Sequence, residues 1–236
     1  MTAVPVLTRR VAAEAVGAGT LVAAVVGSGI MATGLTGDVL LQLLVNATAT
    51  VAVLAVLIAV LGPVSGAHFN PAVTLVEAAR GDLPPGEAGA YVAAQLVGGL
   101  AGTGVANLMF ELPAYQASRH PRSGAGVWLG EVVATAGLLF VIAALTRTGR
   151  GRLGPLLVPA WIAGAYFFTS STSFANPAFT LARAWSDTFA GIAPASVPAF
   201  IATQAVGAAL GAVLAVVLFP VAAPVPLDLP EPLHDR

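Results

Sequence analysis

The chain has no cysteine and no lysine, few charged residues and only three histidines. The missing cysteines exclude disulfides, thiolate metal sites and a cysteine nucleophile. Charged residues make up 9% of the chain, against about 25% in a soluble domain, so most of its surface must face something other than water. The net charge is −1, which leaves no basic field to hold a nucleic acid. His68, His120 and His234 are scattered along the chain. With no nucleophile–base pair and no ligand cluster, neither an enzyme nor a metal or other cofactor is expected.

What the chain has is apolar length. Hydrophobic residues make up 57% of it, and the mean hydropathy is +0.88. Long apolar runs are separated by short Gly/Pro breaks, without strand-like alternation. Lipid admits only helices or closed barrels, because every backbone polar group must be satisfied internally. The pattern therefore predicts an all-α membrane protein. Six spans are expected, over Val11–Met31, Val39–Leu61, Glu87–Phe110, Gly126–Thr146, Leu153–Phe168 and Pro198–Phe219. Each suits a hydrocarbon core of ~30 Å, the fifth being the shortest. Val11–Met31 is long enough to span and lacks a cleavage pattern, so no leader is expected to be removed. All ten basic residues are arginines. Arg9 and Arg10 precede the first span, while Arg147, Arg150 and Arg152 lie between the fourth and fifth. Cytoplasmic loops carry excess Lys/Arg, which puts both segments, and the two termini, on the cytoplasmic side.

Two segments are neither spans nor ordinary loops: Ser65 to Leu75, reading SGAHFNPAVTL, and Ser171 to Leu181, reading STSFANPAFTL. They belong to a repeat. Glu14 is echoed by Glu131, Asn70-Pro71-Ala72 by Asn176-Pro177-Ala178, and Gln95-x-x-Gly98 by Gln204-x-x-Gly207, in the same order at nearly the same spacing. The chain thus reads as one domain of two related halves, about 1–115 and 125–220. Three spans per half make the repeat inverted, an arrangement that places shared sites near the bilayer midplane. An Asn caps a helix N-terminus well, and Pro at the first helical position costs little. Each Asn-Pro therefore begins a short helix whose positive dipole end faces the other, with amide N–H groups free to donate to a passing solute.

These residues resemble the aquaporin, or major intrinsic protein, superfamily over nearly the whole chain. The resemblance rests on Ser65 to Thr74, the second Asn-Pro-Ala, the two span glutamates and the two Gln-x-x-Gly motifs. It implies six transmembrane helices plus two re-entrant half-helices, one pore per subunit and a homotetramer. It also implies that Glu14 and Glu131 hydrogen-bond the re-entrant loops. In the family an Arg usually follows the second Asn-Pro-Ala; here Phe179 stands there. By spacing, the other filter positions fall at Thr50, Gly164 and Ser173. The filter expected from these residues is wide, uncharged and lined by hydroxyls, with one aromatic wall.

Arg183 lies one turn beyond Phe179 on the same face. It either supplies the missing cation in the vestibule or pairs at the surface with Asp187. His68 is expected at the inner pore, its alternative being core packing. The glycines Gly98, Gly99, Gly102, Gly207 and Gly211 fit close helix packing. Val221 to Arg236 reads as a disordered tail. The function expected is passive flow of small neutral solutes across a plasma-type membrane. Glycerol and trivalent metalloid hydroxides such as arsenite are the candidates. Arsenite enters because Asn176 to Arg183 and Ser186 to Ile192 look like a bacterial subgroup often encoded beside arsenic-resistance genes. Alternatives are a water-selective pore and an alternating-access transporter, which would need a coupling carboxylate.

Overall fold

A computed structural model describes residues 6–220; the proposed tail and His234 lie outside them. The described chain is helical, with two single-turn 3₁₀ pieces. α1 (Val6–Leu35), α2 (Val39–Ser65), α4 (Pro85–Met109), α5 (Ala125–Arg147) and α8 (Val197–Leu218) are long and apolar enough to cross a membrane. α6 (Gly154–Phe168) has 15 residues, or about 22 Å of helix. A 3₁₀ turn over Gly151–Leu153 leads into it and extends its reach. α3 (Pro71–Ala79) and α7 (Pro177–Arg183) are the two short helices. The result is an all-α membrane fold of six spans and two shorter helices.

Local chemistry sets the boundaries. α1 extends beyond the expected span at both ends, and the added residues, Val6 to Arg10 and Ala32 to Leu35, include no proline. Asp38 opens α2, its carboxylate accepting the Leu41 N–H at 3.1 Å. Pro63 does not end that helix. The chain continues to Ser65 and stops at Gly66, whose left-handed φ of 90° is one that glycine adopts at no steric cost.

Packing in the second half repeats that in the first. α1 packs on α4 and α2, and α5 packs on α8 and α6. α3 lies against α4, and α7 against α8. Each short helix also touches the other half, α3 meeting α8 and α7 meeting α1 and α4. Arg10 and Arg152 lie at one end of the bundle, where Arg10 bonds Glu87 and Tyr91, and Tyr91 in turn bonds the Ser65 carbonyl. The α4–α5 loop and the segment after α7 close the far end. There the Gln116 and Ser118 N–H groups donate to the Trp185 and Ala184 carbonyls.

Candidate functional site

The segments before α3 and α7 are irregular and held by buried carboxylates. Ala67, Phe69, Ser173 and Ala175 all have positive φ, between 47° and 53° for non-glycine residues, and each such residue costs about 1–2 kcal/mol. Glu14 and Glu131 are fully buried and offset that cost. Glu14 accepts from the backbone N–H groups of His68 at 3.0 Å and Phe69 at 2.7 Å. Glu131 accepts from Phe174 at 2.8 Å and Ala175 at 2.9 Å. Gln95 donates to Glu14 and to Thr74, and Gln204 donates likewise to Glu131 and Thr180.

Asn70 and Asn176 cap α3 and α7. The Asn70 Oδ1 accepts the Ala72 N–H at 2.9 Å, and the Asn176 Oδ1 accepts the Ala178 N–H at 3.0 Å. Their amide nitrogens do not stay wholly free, as the sequence led us to expect. The Asn70 Nδ2 donates to the Ala175 carbonyl at 2.8 Å, and the Asn176 Nδ2 donates to the Phe69 carbonyl at 2.9 Å. Each side chain thus stitches its loop to the opposite one. An amide carries two donors, so one N–H per Asn remains.

A cavity of about 290 Å³ runs past this junction. Toward the Arg10 end its wall includes Ile58, Gly66, Glu77 and Gly151; toward the far end it includes Thr50, Tyr166, Ser173, Phe179 and Arg183. Asn70, Asn176 and His68 also lie on the wall. Pro71, Ala72, Pro177 and Ala178 are not on it, and they act through the helix starts they form. The His68 Nδ1 lies 3.1 Å from the Thr74 hydroxyl, and its ring meets Tyr91 edge-on at 5.4 Å.

Three expectations need correction. Gly164 is exposed on the outer side of α6 and is not on the cavity wall. Counting along an ungapped span placed it there, but the face of α6 that meets the cavity carries Val158, Ile162 and Tyr166. Tyr166 could have been found in the sequence, because a phenol within an apolar span needs a partner. Its hydroxyl lies 3.3 Å from the Thr50 hydroxyl.

The far end of the cavity, where the filter is expected, is also not uncharged with a single aromatic wall. Tyr166, Phe174 and Phe179 all reach the cavity, and so does Arg183. Nor does Arg183 pair with Asp187, since its side chain is 97% buried (3% exposed) and turned inward. Asp187 instead binds Arg119, through the backbone N–H at 2.9 Å and Nε at 2.7 Å. Those bonds, the backbone one foremost, hold the Asp187 carboxyl below its usual range. In the α4–α5 loop, burial lowers the Arg122 pKa, and the charge of Glu131 opposes the shift.

The chain matches the family described as Major intrinsic protein over residues 2–174. It is 53% identical over 202 residues to Aquaglyceroporin AqpS of Rhizobium meliloti (strain 1021), covering 86% of each chain. It is 33% identical over 145 residues to Aquaporin NIP3-1 of Arabidopsis thaliana, covering 56% of this chain and 45% of that one. Among solved structures it resembles the aquaglyceroporin from Plasmodium falciparum, with a TM-score of 0.65 and 20% identity, over 88% of this chain and 95% of that one.

Proposed function

The chain belongs to the major intrinsic protein family, and from that premise we propose that it conducts small neutral polyhydroxyl solutes, glycerol-like polyols or trivalent metalloid hydroxides, along the cavity between its two Asn-Pro-Ala segments. It is a multi-pass integral membrane protein of the channel class, related to aquaglyceroporins, and not an enzyme. The cavity wall carries the choice of solute. Leu21, Leu54, Ile58, Val73, Leu138 and Phe179 offer apolar surface to a carbon skeleton. The remaining N–H groups of Asn70 and Asn176 answer the solute's oxygens, and Thr50, whose own proton goes to the Asn46 carbonyl, accepts from the solute's hydroxyls. Selectivity then follows from width and lining groups. The name of the 53% identical relative agrees with this class of solute.

In the same reading the two halves form an inverted repeat, Glu14 and Glu131 anchor the loops, and His68 faces the inner pore. Thr50, Ser173 and Phe179 form the outer filter. Four copies assemble, and the arginine-rich end lies in the cytoplasm. Water selectivity is the second reading, favoured by the three aromatics and Arg183 that crowd the outer half of the cavity.

Stopped-flow light scattering on liposomes carrying the protein separates the two. Glycerol re-swelling well above that of empty liposomes, with arsenite uptake, supports the polyol pore. Rapid shrinkage in sucrose without glycerol entry replaces it with a water pore.

A further inference from the structure

We propose that Arg183 is the cation of the outer filter, supplied one helical turn beyond the position that Phe179 occupies, and that it excludes cations and binds the acceptor oxygens of passing solutes. This rests on reading the cavity as the conduction path.

Phe179 has no donor and no charge, so it cannot do this work. Arg183 lines the same cavity from the last residue of α7. Its guanidinium is fixed from two directions. Nε donates to the Ala190 carbonyl, and the guanidinium carbon lies 3.5 Å from the centroid of the Phe174 ring. Such a stacked fork is preorganised, and little freedom remains to be lost when it binds.

Among the described residues, only Nε finds a hydrogen-bond acceptor. A guanidinium has five N–H donors, and its two terminal nitrogens make no hydrogen bond to another described residue. Among the described residues no carboxylate pairs with it, because Asp187 is taken by Arg119. Glu131 is nearby, but its oxygens already accept from Phe174, Ala175 and Gln204. A buried charge without a partner is costly. The free donors therefore call for an oxygen from the cavity, either water or solute.

A second observation points the same way. Ser173, also on the cavity wall, carries a buried hydroxyl with no partner among the described residues. Arg122 reinforces the field, its guanidinium lying 5.0 Å from the Phe174 ring and its Nε bound to the Gly191 carbonyl at 2.9 Å. The far end of the cavity thus has Arg183 on its wall, Arg122 against the shared Phe174 ring, and one hydroxyl unpartnered among the described residues.

The test uses the full chain in liposomes with a trapped pH dye, under a potassium-diffusion potential set by valinomycin. Methylammonium uptake serves as a second cation probe. Arg183→Leu and Arg183→Gln should each raise proton and methylammonium entry about tenfold or more, since the repulsion they remove acts at short range in a low dielectric. Arg183→Lys keeps the charge without the fork and should restore exclusion. Ser173→Ala should slow glycerol relative to water.

Equal leak in wild type and both neutral variants would overturn the proposal. So would an Arg183→Lys variant as leaky as Arg183→Leu, because the side chain would then act by packing alone. Should the neutral variants fail to assemble, Arg183→Lys decides alone: exclusion must persist while glycerol entry slows for want of the fork, and a leak in that variant would overturn the proposal. Wild-type liposomes that pass neither water nor glycerol would sink the channel reading itself, a result distinct from all of these.

Discussion

Asn176 does three things with one side chain: it caps α7, stitches the two loops together and keeps one N–H for the cavity. The cap could be read from Asn-Pro. The stitch could not, since it depends on Phe69, 107 residues away. The same limit explains Gly164. Spacing along the chain fixes which span contributes a wall, but not which face of the helix turns inward. Glu131 allows a direct check. Glu131→Ala strands two buried N–H groups that now bond a carboxylate, each bond worth about 1.5–3 kcal/mol. The loss should therefore be several kcal/mol, seen as a large fall in the detergent melting temperature. Glu131→Gln keeps one acceptor and should lose less. Phe179→Arg sets a second guanidinium beside Arg183. Glycerol flux should fall several-fold while water flux falls less. Unchanged glycerol and arsenite flux would remove Phe179 from the filter.

Elements meet here through glycine, and that much was legible from the helical spacing of the glycines. A Cβ at Gly98 would stand 2.1 Å from the Ala15 carbonyl oxygen, and one at Gly102 equally close to that of Gly19. Gly211 meets the Ala136 oxygen at 2.1 Å in the α5–α8 pair. In each case the obstacle is backbone, which cannot swing aside. Gly98→Ala and Gly211→Ala should each destabilise by at least the ~1–3 kcal/mol typical of overpacking. The two sites share no partner, so the double variant should lose about the sum, as read from unfolding in detergent. The far-end loops have a different weakness. Asp187 ties the α4–α5 loop to the segment after α7, and its lowered pKa gives the sign. The tie contributes fully above the ordinary carboxylate range and is lost as pH falls through the lowered value. Protection of the amides in residues 116–120 against exchange should hold at pH 6 and fall only below the ordinary carboxylate range. An Asp187→Asn variant should remove that acid step.

For the whole molecule, the proposed orientation rests on arginine alone. Arg9, Arg10, Arg147, Arg150 and Arg152 flank the ends of α1, α5 and α6 at one side of the bundle, whereas Arg119, Arg122 and Arg183 sit at the other. The last two of these are drawn inward by Phe174 and by backbone carbonyls, so they contribute little to the charge of the outer loops. The retention of basic loops in the cytoplasm is the ground on which we propose that the first group lies inside. The absence of native cysteine makes this unusually clean to test. A single cysteine at Arg119, whose side chain is 85% exposed, should react with a membrane-impermeant maleimide on intact cells. A cysteine at Arg150 should react only after the membrane is opened. The reverse pattern would place the Arg183 filter at the cytoplasmic mouth, and solutes entering the cell would then meet the Glu77 end of the cavity first.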